Sequence, residues 1–244
     1  MHIYVGTSGF GHKEWKGKFY PEKISAKDML RFYAGRLNTV EINNTFYHMP
    51  KESVLASWAG QVPDEFVFAL KAPQVITHIK QLRNVSGETN YLFRSLSVLN
   101  RKLGPVLFQF PKSFRVNAAA LEDFLGLIPE NASCAFDFRS PTWLQESIPD
   151  LLRVKGHSWC VEDTDENPVE KIITTATWGY LRLRRSAYRD ADLSRWAEKI
   201  LLQNWEKAFV FFKHEDEAKG AELAMRFQEL VRSGEETGKK RAVR

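Results

Sequence analysis

Thr39-Val40-Glu41-Ile42-Asn43 alternates strictly between polar and apolar side chains. Successive side chains of an extended chain point to opposite faces, so Val40 and Ile42 share one face and Glu41 and Asn43 the other. The pattern recurs along the chain. Phe68 and Leu70 oppose Ala69 and Lys71; Phe108 and Phe110 oppose Leu107 and Gln109. Phe136 and Phe138 oppose Ala135, Asp137 and Arg139, and Leu181 and Leu183 oppose Tyr180, Arg182 and Arg184. One face of each run is fit to pack against helices. The polar members of the other gather toward the C-terminal end of the run. A charge inside a sheet is costly unless paired or solvated. Five runs that place charged or polar groups at the same end predict one shared, wet pocket.

Eight short runs have strand composition: Ile3–Thr7, Thr39–Asn43, Phe66–Lys71, Val106–Phe110, Cys134–Phe138, Ser158–Glu162, Gly179–Leu183 and Phe209–Lys213. Segments of helical period separate them. Ser25 and Asp28 open a helix to Leu37. Further helices are expected over Glu52–Ala59, from Glu88 to a stop at Gly104-Pro105, over Asn117–Ile128, and over Thr142–Val154 with a break at Pro149. Pro168–Thr174, Asp192–Trp205 and Glu217–Ser233 complete the set. Repeated strand-helix units argue for a parallel sheet, and eight of them close. The expected fold is a single-domain α/β chain, a (β/α)₈ TIM barrel over residues 1–233 with an elaborated strand C-terminal face. Residues 234–244 read as a polar, disordered tail. An open doubly wound sheet is the alternative. Long connections at Gly9–Ile24 and Ala72–Gly87 fall on the C-terminal face, where barrel active sites are built.

Hydrophobic residues make up 43% and charged residues 27% of the 244, which excludes a disordered or fibrous chain. The net charge of +5 permits a nucleic-acid partner without requiring one. Cys134 and Cys160 lack metal-ligand spacing and read as reduced core residues. Met1–Gly6 carries no basic leader, and no apolar run is long enough to cross a bilayer. The expectation is a cytoplasmic protein with no membrane partner.

Several stretches carry a resemblance: Gly6-Thr7-Ser8-Gly9-Phe10, Trp15-Lys16-Gly17-Lys18-Phe19-Tyr20-Pro21, and above all Glu41-Ile42-Asn43-Asn44-Thr45-Phe46-Tyr47. Phe68–Lys71, Ile76-Thr77-His78, Leu103-Gly104-Pro105, Phe108-Gln109-Phe110-Pro111 and Phe136–Arg139 with Trp143 extend it over essentially the whole chain. The chain resembles the YecE-like family of bacterial domains of unknown function. That resemblance implies a TIM barrel and the position of its site; it does not say which reaction or which cofactor. Where the family usually ends its seventh strand with Arg-Leu-His-Gly, this chain has Arg182-Leu183-Arg184-Arg185. Where the family shows an asparagine pair after the eighth, this chain has Lys213-His214. Both departures add positive charge.

The cationic surplus in the predicted pocket points to an anionic, phosphate-bearing small molecule or a nucleotide-like substrate. Glu41 or Asp137 is the expected general acid or base. Lys71 is an electrostatic clamp or a Schiff-base nucleophile. Ser8, Tyr20, Asn43, Gln109, Arg139, Arg182, Arg184 and Lys213 are expected to bind substrate. Trp15, Tyr47, Trp143 and Tyr188 are further candidates for aromatic walls. The turn Gly6-Thr7-Ser8-Gly9 can offer backbone N–H groups to an anion or be a plain turn. Two other readings stand beside this one. A non-catalytic nucleic-acid or anionic-partner binder would use the same cations together with Lys239, Lys240 and Arg241. A divalent-metal hydrolase or isomerase would draw ligands from Glu41, His78, Asp137, Glu162 and His214, without a recognised spaced signature. Pairs such as Glu41 with Lys71, or Asp137 with Arg139 and Arg182, can also be purely structural.

Overall fold

A computed structural model describes residues 1–213 and 218–242, the last nine of these by backbone path only. Eight parallel strands close in sequence order, each paired with its predecessor and β8 with β1. They are β1 (His2–Ser8), β2 (Thr39–Ile42), β3 (Val67–Lys71), β4 (Leu103–Phe110), β5 (Cys134–Phe138), β6 (Ser158–Asp163), β7 (Trp178–Leu183) and β8 (Lys207–Phe212). The helices are α1 (Met29–Ala34), α2 (Glu52–Gln61), α3 (Ser86–Leu96), α4 (Ala118–Leu125), α5 (Ser147–Val154), α6 (Asp190–Leu201) and α7 (Lys219–Ala242). The chain is a TIM barrel, and all eight expected strands are present.

The alternation read from the sequence sorts the two faces. Phe68, Leu70, Phe108, Phe110, Phe136, Leu181 and Leu183 lie in the large outer core between sheet and helices. Val67, Ala69, Leu107, Ala135, Cys160, Trp178, Tyr180, Phe209 and Phe211 fill the barrel. The filling is apolar toward the N-terminal ends of the strands. Above it, toward the C-terminal ends, come Glu41, Asp137 and Arg182, all buried. Cys134 and Cys160 are both free and buried, one in each core.

Several helix expectations are corrected. Ser25 does not cap; its hydroxyl donates to the Asp28 carboxylate at 2.5 Å, and the helix begins only at Met29. Gly104-Pro105 is not a helix stop. α3 ends at Leu96, short helical turns follow to Lys102, and the dipeptide lies inside β4. A β-carbon on Gly104 would come within 2.4 Å of Val67 Cγ1, and the β3–β4 register shifts here, where proline withholds an N–H. Pro149 sits in the first turn of α5, the position proline tolerates. Thr142 belongs to a separate short turn, Pro141–Trp143.

Pro168–Thr174 is not helical at all. β-branched residues crowd that stretch, and the Val169 N–H is taken by the Asp163 carboxylate at 3.0 Å. Val169, Ile172 and Ile173 instead pack directly against the outer core, where another barrel would place a helix. The tail expected from Gly234 continues α7 as far as Ala242, a stretch rich in good helix formers; residues 243–244 lie outside the described residues.

In the tight first strand, a β-carbon on Gly6 would sit 2.0 Å from the Thr39 carbonyl oxygen. Backbone cannot yield as a side chain can. Gly6→Ala is expected to lower stability by about 3 kcal/mol, the upper end of overpacking costs, as measured by urea unfolding. Gly60→Ala, where the added carbon meets nothing within 4 Å, serves as the control and should not lower it.

Candidate functional site

The polar end of the barrel is organised around Arg182 of β7. Its guanidinium donates to Glu41 Oε1 of β2 at 2.9 Å and to Asp137 Oδ2 of β5 at 3.0 Å, spanning the barrel. Tyr180, one pleat below, donates its hydroxyl to Glu41 Oε2 at 2.8 Å. Ser8 of β1 and Asn43 donate to Glu41 Oε1 at 2.7 and 3.1 Å. Glu41 is thus fully buried with both carboxylate oxygens engaged. Burial works to raise its pKa. The guanidinium groups of Arg182 and Arg184, with hydrogen bonds from Arg182 and Ser8, outweigh burial and hold the carboxyl well below the usual range.

The adjacent pair Glu162-Asp163 splits between the two faces. Glu162 turns inward and is bonded by Arg139, which also donates to Asp137 at 3.1 Å. Arg182 and Arg184 approach Glu162 at 3.6 and 3.4 Å. Burial and the neighbouring Asp137 carboxylate raise the Glu162 pKa against the pull of these arginines. Asp163 turns outward, fully buried, and accepts from Arg185 at 2.8 Å, Tyr188 at 2.9 Å and Trp196 at 3.2 Å.

Above this network opens a cavity of about 460 Å³. The loop after β1 contributes Gly9, Phe10, Gly11 and His12, the turn after β2 Asn43, Asn44, Phe46 and Tyr47, and α2 contributes Trp58. Four cationic side chains line it: Lys71, Arg182, Arg184 and Lys213. Among the described residues no carboxylate does. The Arg184 guanidinium sits near Glu41 and Glu162 at 3.7 and 3.4 Å, yet makes no hydrogen bond to a described residue. Lys71 Nζ lies 4.1 Å from the centre of the Phe46 ring. Burial, then Arg182 and Arg184, lower its pKa to about 8 against the opposing pull of Glu41.

The cavity collects Ser8, Asn43, Lys71, Arg182, Arg184 and Lys213 of the expected residues, with Glu41, Asp137 and Arg139 in the network beneath. Gln109 is half-buried beside Asp137 in the sheet register but does not line the cavity. Tyr20 is a correction. It is buried among Trp15, Phe19 and Phe32 and donates to the Phe10 carbonyl at 2.5 Å, so it holds the β1 loop from behind. Trp15 and Trp143 are likewise core, Tyr188 serves Asp163, and only Tyr47 of the proposed aromatic walls reaches the cavity. Gly9 offers no N–H to an anion, because the Glu41 carbonyl takes it at 2.9 Å. Glu41 and Asp137 do not suit general acid–base work: neither lines the cavity, and Glu41 is saturated with donors.

Sequence reading missed Phe10, His12, Phe46 and Trp58. The length of the first loop pointed at the first two; nothing marked Trp58. The second long loop, after β3, is tightly wound. It forms a π-turn over Val75–Ile79 and puts Gln81, Leu82 and Asn84 in the left-handed region at φ 46°, 69° and 51°. It carries His78, whose Nδ1 is 2.8 Å from the Thr77 hydroxyl and whose ring meets Phe46 edge-on. Burial and Lys71 lower the His78 pKa. No three of the described His, Cys, Asp and Glu side chains are grouped to hold a metal ion; His214 lies outside the described residues, as do the side chains of Lys239, Lys240 and Arg241. No described helix is long and apolar enough to cross a membrane.

Fold and site define a class: a (β/α)₈ barrel with a cation-lined cavity at the C-terminal ends of its strands. Within it, residues 4–243 match the family described as "Protein of unknown function DUF72", and the chain belongs to that family. It is similar to the UPF0759 protein YecE of Escherichia coli K12, with 29% identity over 155 residues, 63% of this chain and 54% of the relative. The UPF0759 protein YunF of Bacillus subtilis is 28% identical over 178 residues, 66% of this chain and 61% of that one. The matched region therefore spans little more than half the length of these relatives. Among solved structures, a DUF72 family protein of Thermotoga maritima MSB8 superposes with a TM-score of 0.81 at 26% identity, over 95% of this chain and all of that one. A DUF72 family protein of Enterococcus faecalis V583 gives 0.77 at 20%, covering 94% and 95%, a likeness of fold alone.

Because its folded pKa is depressed, Glu41 contributes stability above the ordinary carboxylate value of 4.5 that is lost as pH falls below it. Glu41→Gln should cost about 3–5 kcal/mol at pH 7, as expected when one partner of a buried ion pair is removed. The gap to the unaltered protein should narrow steadily in urea unfolding between pH 4.5 and pH 2. A gap independent of pH contradicts the assignment.

Proposed function

We propose that the protein is an enzyme whose substrate is an anionic small molecule, bearing a phosphate or a comparable oxyanion, bound in the cavity above Arg182. One observation carries this reading: Lys71, Arg182, Arg184 and Lys213 line the cavity without a carboxylate among the described lining residues. The Glu41, Asp137 and Glu162 carboxylates lie deeper and are already engaged by arginines. The Arg184 guanidinium makes no hydrogen bond to a described residue, its carboxylate neighbours Glu162 and Glu41 standing 3.4 and 3.7 Å away, and can turn its planar fork to an oxyanion. Such charge-assisted bonds are the strong ones. Phe10, Phe46, Tyr47 and Trp58 would hold the less polar part of the ligand. In this reading Glu41 and Asp137 position Arg182, and Lys71 and His12 are ionisable groups of the lining left to act on substrate.

The concave setting of these cations favours a small ligand over a nucleic-acid strand, which a convex or open basic stripe suits better. Titration calorimetry with inorganic phosphate tests the reading. The unaltered protein is expected to bind, and Arg184→Gln to raise the dissociation constant about 10-fold or more, the loss of one charged hydrogen bond. Arg195→Gln, on the exposed face of α6, should not change it. Absence of phosphate binding, or equal loss in both variants, overturns the proposal.

A further inference from the structure

We infer that Lys71 is a nucleophile: its Nζ condenses with the carbonyl carbon of an anionic aldehyde or ketone held in the cavity to form an imine. The choice of an anionic substrate rests on the reading above; the amine chemistry rests on the surroundings of Lys71 itself.

Three features of geometry set this lysine apart. It stands at the C-terminal end of β3 and lines the cavity, so a bound molecule can reach it. Among the described residues no carboxylate lies within ion-pair distance of its ammonium, although Glu41 and Asp137 are nearby; arginines hold both. Its Nζ lies over the face of Phe46, 4.1 Å from the ring centre. The ring favours the charged form, by about 0.5–2 kcal/mol depending on exposure. Burial and the two guanidinium groups oppose it and prevail, leaving the amine near pKa 8. A lysine freed from carboxylate pairing and placed beside other cations is the setting in which an amine becomes a nucleophile.

The step balances without any further reactant. The neutral amine adds to the carbonyl carbon, forming a C–N bond and breaking the C=O π bond. The two amine hydrogens leave with the carbonyl oxygen as one water, and a C=N bond remains. Nothing is oxidised or reduced. The oxyanion of the substrate would rest on Arg184 and Lys213, which fixes the carbonyl against Lys71. The charged groups around this amine come from several elements: Glu41 on β2, His78 in the loop after β3, Asp137 on β5, Glu162 on β6, Arg182 and Arg184 from β7 onward, and Lys213 after β8.

The test is reductive trapping on the intact protein, with adducts located by peptide mass spectrometry. Two probes are used with cyanoborohydride: pyridoxal 5′-phosphate, which carries both aldehyde and phosphate, and the neutral aldehyde propanal. Lys71 is expected to be the first lysine modified by pyridoxal phosphate, with a rate half-maximal near pH 8. Excess inorganic phosphate should slow this labelling at least about tenfold while leaving propanal labelling of Lys71 unchanged. Lys71→Arg should remove the early adduct and retain the native circular dichroism. Labelling spread over surface lysines with Lys71 spared by both probes overturns the inference, whatever the variant does. The two readings fail separately. Lys71 labelled by propanal and by pyridoxal phosphate, with phosphate slowing neither, refutes anion binding and supports the amine chemistry. Phosphate binding by calorimetry with Lys71 unlabelled does the reverse.

Discussion

One buried guanidinium joins opposite walls of this barrel. Arg182 reaches Glu41 on one side and Asp137 on the other, and all three are withdrawn from water. Taking ions out of water costs several kcal/mol each, and only close pairing with satisfied lone pairs offsets it. Ser8, Asn43, Tyr180 and Arg139 supply the remaining bonds. The small residues of the layer beneath, Ala69, Ala135 and Cys160, leave the width that an arginine and a tyrosine need. Packing and charge therefore constrain each other here. A larger side chain in that layer would displace Tyr180 and with it the donor to Glu41.

The character of the cavity follows from this arrangement. Glu41, Asp137 and Glu162 are engaged below by arginines, and the charged side chains among the described lining residues are cationic. The connections after β1 and β2 line most of the cavity mouth, and the β3 loop backs it where His78 packs on Phe46. The β1 loop is fastened by Tyr20 and by the Gly9 bond to the Glu41 carbonyl. The β3 loop is held in a wound form that leaves three non-glycine residues left-handed, an arrangement maintained only where surroundings over-determine it. Both loops place their aromatic and histidine side chains against a fixed frame.

Asp163 has a separate task on the opposite face of β6. Its carboxylate gathers the chain after β6, the turn after β7 and α6 through Val169, Arg185, Tyr188 and Trp196. It ties down a stretch that dispenses with a helix. The same strand thus sends one acidic residue to the site and its neighbour to the scaffold.

Much of this was legible in sequence. Composition marked eight strands, and the alternation of apolar and polar residues in five of them gave their faces and the polar end of the barrel, because side-chain direction in a strand is a local property with period two. The family resemblance rested on residues at that same end. Helix bounds were less legible, since Gly104-Pro105 and Pro168–Thr174 answer to tertiary partners as much as to propensity. The roles within the site required the folded chain. Whether Glu41 meets an open cavity or four donors depends on Tyr180 and Arg182, well over a hundred residues away. That Tyr20 is core while Phe46 faces the cavity depends on how a loop folds back on the barrel. Local pattern determined where charges stand along each strand; only closure of the sheet decided which of them pair with one another and which line the cavity.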